Sequence, residues 1–521
     1  MVAVCPEQIA KIDAFARDIL HIPTAILMER AGAAVAKEVM HLCKKGSRVL
    51  VFCGSGNNGG DGYAAGKLLL ENGYSVHAVD VFGKGQRTEE GRAAYKAFCQ
   101  ADGFSLSFGV ADAEGRLREC DIVIEAVFGV GARQDYPQEA VKLLADFARA
   151  RQENIQSPLF VAVDCPLGTD ALLGTARDDA FVFDATVELT LPKIGLHSYP
   201  ARRYAGTFSL HSLELPTDVI IENFNLQNNL TDDEYVKDKL PKRISEGHKG
   251  SFGALGVLCG SDAYPGAALL ACEGAMRTGV GMLHYFGSRE VMRLLLTRRP
   301  EAVCHPMPPI ADMTAEDAVA FVTQAPEMSA WLIGCGCGRS EGLAHLLRAF
   351  LTTEGAPLIL DADALNTLAD SAYSLMPLLA KCKRLVALTP HPLEFSRLFA
   401  HQVSEVQANR LGMAREASCL HGVTLLLKGS GTVILSPSGQ VTVNTSGNTA
   451  LAKGGSGDVL AGVIAGFAAQ GAALDDACVL GAYLHGLAGE RLSAELGEAG
   501  VLPSDLPIVI AKEMKRLSQM N

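Results

Sequence analysis

The hydrophobic positions of this chain form short runs that alternate with segments of helical spacing. From Arg48 onward, apolar runs rich in β-branched residues recur, among them RVLVFCG, DIVIEAVFG and LFVAVDCPLG. Segments such as GYAAGKLLLENG and PQEAVKLLADFARA lie between them and repeat their apolar residues at helical intervals. Continuous apolar runs of this length are typical of strands in a parallel sheet covered on both faces. The alternation predicts right-handed crossovers and a doubly wound α/β sheet.

A second series of the same kind begins after a polar interval. The first pattern stops near Leu215, and residues 216–247 are rich in Asn, Asp, Lys and Glu without strong periodicity. Runs such as ALGVLCGS, WLIGCGCG, PLILDADAL and VTLLLKGSGTVILSP follow. A chain of 521 residues is also too long for one hydrophobic core. We therefore predict two doubly wound α/β domains, residues 1–220 and 221–521.

Composition and charge narrow the classes of molecule that the protein could bind. A net charge of −12 argues against nucleic acid or an anionic membrane surface, although backbone amides can still bind an anionic cofactor. The fourteen cysteines include neither a CxxC pair nor a His–Cys cluster of zinc spacing, which is typical of reduced thiols in the cytoplasm. We expect a cytoplasmic homo-oligomer that acts on small molecules.

The glycine-rich stretch NTSGNTALAKGGSGDVLAG combines an anion cradle with a candidate base. Gly454, Gly455 and Gly457 carry no side chains, so consecutive backbone N–H groups can face a phosphate where a helix begins. Asp458 lies on the first turn of the apolar run that follows, where a helix N-terminus favours a carboxylate. It could take a proton from a substrate hydroxyl while the amides hold the phosphoryl group that the hydroxyl attacks. The alternative is a glycine-rich turn with Asp458 as a helix cap.

The loop GSGNNGGDG, which follows a predicted strand and opens a predicted helix, is a second candidate phosphate site. Its side chains Asn57, Asn58 and Asp61 could bind a monovalent cation or orient polar ligand atoms. Ligands of open α/β sheets bind beyond the carboxyl ends of the strands, so Asp164 and Lys193 should reach the same crevice. They could form an acid–base pair. Alternatively, Asp164 caps a loop and Lys193 is a solvated strand end.

Together these residues resemble the NAD(P)H-hydrate epimerase family over about residues 1–215. The resemblance rests on GSGNNGGDG, VDCPLG, the LPKIG turn and the helical leader IAKIDAFARDILHIPTAILMERAG. It implies that Asp164 and Lys193 transfer the protons that interconvert the R and S hydrates of NADH and NADPH. The hydrate-binding residues that it implies are Asn57, Asn58, Gly59, Gly60, Asp61, Gly129, Val130, Gly131, Ala132, Arg133, Gln134, Asp135 and Asp164.

Members of this family also bind potassium, and here the chain departs from their pattern. The resemblance implies a potassium site at Asn58, Glu125 and Leu167, where the family carries Asn, Asp and Ser. Glu125 is one methylene longer than Asp, and Leu167 offers no oxygen except its backbone carbonyl. The potassium site is therefore an expectation that these two residues put in question.

The segments HKGSFG, GCGCGRS, LDADALN, LTPHPLEF, LKGSGTV and GGSGD resemble the ADP-dependent NAD(P)H-hydrate dehydratase family, which has a ribokinase-like fold, over about residues 240–521. The resemblance implies ADP as the phosphoryl donor and Asp458 as the catalytic base. The nucleotide-binding residues that it implies are Lys428, Gly429, Ser430, Gly431, Thr432 and Gly457. The hydrate contacts that it implies are Ala267, Gly336, His391 and Asp458.

These positions have structural alternatives as well. LKGSGTV could be a simple β-hairpin, and His391, flanked by prolines, could be a structural residue. Asp361 and Asp363 could bind Mg²⁺ through water or could cap a loop. Leu393 stands where the family has glycine, so the loop is strained if Leu393 must adopt a positive φ.

The combined prediction is a bifunctional enzyme of metabolite repair, with a Rossmann-like N-terminal domain and a ribokinase-like C-terminal domain. The first domain would interconvert the R and S forms of NADHX and NADPHX, the hydrated coenzymes. The second would dehydrate the S form with ADP and release AMP and phosphate. One alternative is a kinase for a small alcohol, such as a vitamin precursor, which would leave a stable phosphate ester. Another is that the N-terminal domain is a non-catalytic binding or scaffolding module.

Overall fold

The chain folds into two compact units. The structure, a computed structural model, describes residues 1–131, 135–153 and 157–520. One unit is Val2–Asn228, and the other consists of Met1 together with Asn229–Asn521. The division between them falls inside the polar interval 216–247. Among the described helices, none combines the length and the apolar character needed to span a bilayer.

A parallel sheet forms the centre of the first unit. The strands of this unit are β1 (Val2–Ala3), β2 (Arg48–Cys53), β3 (Ser75–Asp80), β4 (Ser105–Phe108), β5 (Ile122–Ala126), β6 (Leu159–Val163), β7 (Ala185–Leu189) and β8 (Thr207–His211). Seven strands pair in the order β4-β3-β2-β5-β6-β7-β8, and every pairing is parallel. The edge strands β4 and β8 were not predicted, because they are only partly buried and lack a continuous apolar run.

Helices cover both faces of this sheet. They are α1 (Pro6–Asp18), α2 (Thr24–Leu42), α3 (Asn57–Glu71), α4 (Glu89–Cys99), α5 (Ala113–Leu117), α6 (Gln138–Glu153) and α7 (Thr217–Phe224). Successive strand residues point to opposite faces. Val51 accordingly belongs to the core formed with α2, α3 and α4, and Phe52 belongs to the core formed with α5 and α6. This double coverage explains the continuous apolar runs of the sequence and confirms the doubly wound prediction.

The second unit contains a larger mixed sheet. Its strands are β9 (Asn228–Leu230), β10 (Ala254–Leu258), β11 (Met282–Gly287), β12 (Val303–Pro306), β13 (Ala330–Ile333), β14 (Leu358–Leu360), β15 (Val386–Leu388), β16 (Thr424–Leu427), β17 (Val433–Leu435) and β18 (Val441–Val443). The order β12-β11-β10-β13-β14-β15-β16 is parallel throughout. Strand β17 turns back antiparallel to β16, and β18 and β9 extend the sheet beyond it. The predicted fold class, Rossmann-like followed by ribokinase-like, is confirmed.

One buried helix organises the second core. The helices are α8 (Asp233–Lys239), α9 (Pro265–Arg277), α10 (Arg289–Arg298), α11 (Ala315–Gln324), α12 (Glu341–Thr352), α13 (Asp363–Ala369), α14 (Met376–Leu379), α15 (Pro392–Phe399), α16 (Val403–Ala408), α17 (Arg410–His421), α18 (Ser456–Ala469), α19 (Leu474–Leu496) and α20 (Leu506–Ser518). Helix α18 is buried along most of its length. A Cβ atom added at Gly462 would lie 2.0 Å from the carbonyl oxygen of Ala271 in α9. This close approach fixes the position of the glycine-rich start of α18.

Candidate active sites

A cavity of about 210 Å³ lies at the carboxyl ends of the strands of the first unit. The strand order reverses between β2 and β5, and ligands of open α/β sheets bind at such a reversal. The predicted site residues that line the cavity are Asn57, Asn58, Asp61, Gly129, Val130, Asp164 and Lys193. The predicted residues that do not line it are Gly59, Gly60, Gly131 and Asp135. The predicted residues Ala132, Arg133 and Gln134 lie outside the described residues.

Asp164 and Lys193 form a buried ion pair at this cavity. The Lys193 ammonium donates to the Asp164 carboxylate and, at 2.6 Å, to the carbonyl oxygen of Leu189. The Lys193 side chain is only 1% exposed, so the alternative of a solvated strand end is wrong. Asp164 has a φ of 65° and Thr190 a φ of 69°, which are strained values for non-glycine residues. Such strain costs about 1–3 kcal/mol per residue and is concentrated at functional sites.

Two further carboxyl groups face the ion pair. Burial, followed by the charges of Asp164 and Asp13, raises the pKa of Asp61 well above its usual range. Burial and then the charge of Asp164 raise the pKa of Asp13 to about 6, although Lys193 opposes this shift. The cavity therefore holds, beside the lysine–aspartate pair, a carboxyl group with an increased tendency to stay protonated. Asp13 was missed by sequence reasoning, because nothing in the leader helix marks one acidic residue as facing a cavity.

The residues expected to bind potassium make other contacts. The Glu125 carboxylate accepts hydrogen bonds from the N–H groups of Val127, at 2.8 Å, and Leu167, at 3.0 Å. Asn58 donates its side-chain amide to the carbonyl oxygens of Phe128, at 2.9 Å, and Val163, at 3.1 Å. Potassium is held by rings of oxygen ligands. The three residues do not provide such oxygen ligands. The Glu125 carboxylate is bonded to backbone amides, Asn58 directs its NH₂ group to the carbonyl oxygens, and Leu167 has no side-chain oxygen.

The second unit also places its candidate chemistry at the carboxyl ends of its parallel strands. Asp361 directly follows β14 and Lys428 directly follows β16. The Asp361 carboxylate accepts from the Lys428 ammonium, at 2.5 Å, and from the Thr389 hydroxyl, at 2.7 Å. The thiol of Cys335 donates to the other carboxylate oxygen of Asp361, at a sulfur–oxygen distance of 3.6 Å. Ligand atoms of Cys335, Asp361 and Asp458 all lie within 4.8 Å of one another.

Asp458 lies beside this pair with a shifted pKa. Burial, followed by the charge of Asp361, raises the pKa of Asp458 to about 6, against the opposing effects of Lys428 and Cys335. Burial by itself would lower the pKa of Lys428, but the charges of Asp361 and Glu394 outweigh burial, and the pKa is raised. At neutral pH, Asp458 is thus ionised and a stronger base than an ordinary aspartate.

The start of α18 has the geometry of an anion cradle. Gly455, with a φ of 97°, is the N-cap residue, and no side chain caps the helix. The alternative in which Asp458 is the cap is therefore wrong, since Asp458 is the third residue of the helix. A Cβ atom at Gly457 would lie 3.4 Å from the Lys428 ammonium nitrogen, so the helix start and Lys428 face the same space. The N–H of Ser456 donates to the carbonyl oxygen of Lys453 at 3.2 Å. A lysine beside the other N–H groups of a helix start favours a phosphate group.

The predicted nucleotide loop is the turn of a hairpin between β16 and β17, as the structural alternative proposed. Gly429 and Gly431 both have positive φ, at 144° and 60°. The buried guanidinium of Arg410 donates to the carbonyl oxygens of Leu427, at 3.1 Å, and Lys428, at 3.0 Å. Arg410 thus holds the base of the loop. Sequence reasoning missed it, because an arginine in an otherwise ordinary helix gives no signal that it is buried.

The remaining predicted residues lie around the same corner. A Cβ atom at Gly336 would lie 2.7 Å from the Cβ of Ala267, so these two hydrate-binding candidates are in contact. His391 caps α15, because its ring accepts from the N–H of Glu394 at 3.2 Å, while 47% of its side chain stays exposed. Leu393 lies within α15 and is not among the residues with positive φ, so its replacement of glycine causes no strain. Asp363 caps a loop by accepting from the N–H of Gly338 at 2.8 Å.

Two α/β units, each with a largely buried Lys–Asp pair at the carboxyl ends of its parallel strands, indicate an enzyme with two candidate active sites. The family described as NAD(P)H-hydrate dehydratase matches residues 255–512, and the family described as YjeF-related protein N-terminus matches residues 24–195. A crystal structure of the ADP/ATP-dependent NAD(P)H-hydrate dehydratase from Bacillus subtilis, co-crystallised with ATP/Mg²⁺, is 34% identical. The match covers 56% of this chain and 99% of that chain, with a TM-score of 0.49.

Full-length relatives identify the family. The bifunctional NAD(P)H-hydrate repair enzyme Nnr of Moorella thermoacetica is 31% identical over 97% of this chain and 95% of its own length. The enzyme of the same name from Coxiella burnetii is 33% identical over 92% of this chain and 93% of its own length. The chain therefore belongs to the bifunctional NAD(P)H-hydrate repair enzymes. The family and the enzyme class predicted from the sequence are confirmed.

Proposed function

We propose that the first unit interconverts the R and S hydrates by moving protons within its carboxyl-lined cavity. A protonated carboxyl, which Asp61 supplies, would protonate the hydroxyl group of the hydrate. Water would then leave as the electron pair of the ring nitrogen forms an iminium. Water would return to the other face and give its proton to a carboxylate, for which Asp164 of the Lys193 pair is the candidate. The shifted pKa values and the burial of the ion pair support this assignment.

The second unit would dehydrate the S hydrate with ADP. Asp458 would deprotonate the hydroxyl, whose oxygen attacks the β-phosphorus of ADP, so that the bond to AMP breaks. The electron pair of the ring nitrogen would then expel phosphate, and loss of a ring proton would restore NADH or NADPH. The amides of Gly455 and Gly457, together with Lys428, would stabilise the transferring phosphoryl group. The oxygen lost as water in a simple dehydration leaves here as part of phosphate.

Magnesium fits the donor set at this corner. Mg²⁺ is usually held by one or two carboxylates together with phosphates and water, and Asp361 would supply a carboxylate while Asp458 acts as the base. When bound, the ion would neutralise charge on the nucleotide phosphates. The carboxylate of Asp361 also keeps Lys428 directed toward the start of α18, whether or not the ion is present.

The single observation that carries the proposal is the position of Asp458 beside the Lys428–Asp361 pair at the uncapped start of α18. The test uses the full chain with a mixture of R and S hydrates and ADP. We expect complete conversion to NADH, read from its absorbance, with one AMP and one phosphate released for each NADH. Accumulation of a phosphorylated small alcohol would support the kinase alternative, and conversion of only the S form would indicate a non-catalytic first unit.

The cellular setting remains a proposal. None of the fourteen cysteines forms a disulfide bond in the described structure, which supports a reducing compartment such as the cytoplasm. The expected homo-oligomer also stays a prediction, which sedimentation of the purified chain would test.

A further inference from the structure

We propose that the first unit works without potassium, because hydrogen bonds within the protein take the place of the cation. The proposal rests on three residues, Glu125, Asn58 and Leu167, whose contacts differ from those that a potassium site needs. It depends on the family assignment and not on the proposed proton transfers, because thermal unfolding tests it without substrate.

Glu125 is the first part of the replacement. It lies at the end of β5 and is completely buried. The extra methylene of glutamate lets its two carboxylate oxygens reach two different loops, with Oε1 on the N–H of Val127 and Oε2 on the N–H of Leu167. The carboxylate thus joins the loop after β5 to the loop after β6 directly. The amide protons that it binds would repel a cation placed between the two loops.

Asn58 is the second part. It is the second residue of α3, 7% exposed, and its NH₂ group donates to the carbonyl oxygens of Phe128 and Val163. These two carbonyl oxygens come from neighbouring strand ends and point toward one place. Because both carry partial negative charge, they need a partner with positive charge. A side-chain amide with two N–H bonds provides this partner without a net charge. The amide therefore joins the two strand ends to the helix, as a cation would.

Leu167 is the third part. Its side chain is 1% exposed and belongs to the apolar core formed with Val127, Leu144 and Phe147. Where the family carries a hydroxyl, this chain has packed hydrocarbon. An ion bound here would have one oxygen ligand fewer and would lie against the leucine side chain. Binding would cost free energy, because hydrocarbon solvates ions poorly.

The experiment compares the full chain in potassium chloride and in tetramethylammonium chloride at equal ionic strength. Thermal unfolding is recorded in both salts, and epimerisation of purified R hydrate is measured in parallel. We expect the same unfolding midpoint and the same epimerisation rate in the two salts. A midpoint that is higher in potassium, or an epimerisation rate that falls about tenfold without potassium, overturns the proposal.

A paired variant tests the cause. Glu125→Asp combined with Leu167→Ser restores the residue types of the family, and we expect its unfolding midpoint to rise in potassium but not in tetramethylammonium. Glu119→Asp, the same change at an exposed position, is the matched control and should show no difference between the salts. A paired variant that folds but does not respond to potassium would contradict the assigned role of these two residues. If the paired variant does not fold, the wild-type comparison still decides the proposal.

Discussion

The two candidate active sites share one construction and differ in its surroundings. Each has a buried Lys–Asp pair at the carboxyl ends of parallel strands, Lys193 with Asp164 in the first unit and Lys428 with Asp361 in the second. Each also has a non-glycine residue with a strained backbone conformation, either within the pair or directly after it. Asp164 itself has a φ of 65°, and Ala362, which follows Asp361, has a φ of 51°.

The surroundings decide which chemistry each pair can support. In the first unit further carboxyl groups with raised pKa values face the pair, so protons can be held and exchanged there. In the second unit the start of α18 faces Lys428, so an anion is attracted, and Asp458, whose pKa is raised, remains as a base. The comparison shows that the groups around a Lys–Asp pair, and not the pair itself, determine which reaction the site can support.

The largest expected effect comes from removing the Asp458 carboxylate, which lies beside the Lys–Asp pair of the second unit. Asp458→Asn should lower the dehydration rate by about 10²–10⁴-fold, because a general base contributes roughly this much. Nucleotide affinity, measured by calorimetry, should stay unchanged, since the amides and Lys428 remain in place. Epimerisation by the same variant serves as an internal control. If the variant kept most of its turnover, Asp458 would have to be removed from the mechanism.

Breaking the buried pair of the first unit should affect both rate and stability. Lys193→Met leaves Asp164 buried without its partner, which typically costs about 3–5 kcal/mol of unfolding free energy. Epimerisation should be lost while dehydration of purified S hydrate continues, as denaturant unfolding and separate assays of the two reactions would show. Lys67→Met, which removes an exposed partner of Glu71, is the control and should cost no more than about 1 kcal/mol. Equal costs for the two variants would contradict the burial argument.

The pH profile gives an intermediate effect. Because the pKa of Asp458 is raised to about 6, this carboxyl holds its proton at lower pH and cannot accept one from the hydrate. The kcat/KM of dehydration should therefore rise by about tenfold per pH unit up to pH 6 and then level off. The residual activity of Asp458→Asn should lack this slope. A wild-type profile that is flat between pH 5 and 7 would exclude Asp458 as the titrating base.

The smallest effect is expected at Leu393. Leu393→Gly restores the residue of the family, but the φ of Leu393 is already unstrained. Glycine in a helix costs about 0.5–1 kcal/mol, so the variant should unfold slightly earlier and gain no affinity for nucleotide. Denaturant unfolding and nucleotide titration would check both expectations. A clear gain in affinity would mean that the loop needs a positive φ when nucleotide is bound.

Sequence reasoning located the strands that are buried on both faces and the glycine loops that end them. It located less well the parts of each site that depend on distant chain segments. Asp13 faces the first cavity only because α1 packs over it, and Arg410 supports the nucleotide loop only because α17 packs below β16. Neither residue has a neighbour in sequence that indicates its role.

By itself, the sequence determined the two α/β units, the family, and the residues at the ends of the strands, because periodicity and glycine placement are local properties. Only the tertiary structure decided which side chains meet. It turned the Glu125 carboxylate toward the amides of Val127 and Leu167, placed Cys335 against Asp361, and kept Leu393 in an ordinary helical conformation. Contacts of this kind join residues 2 to 105 positions apart in the two sites. Burial and electrostatic neighbours, and hence pKa values and ligand choice, follow from such contacts and not from local pattern.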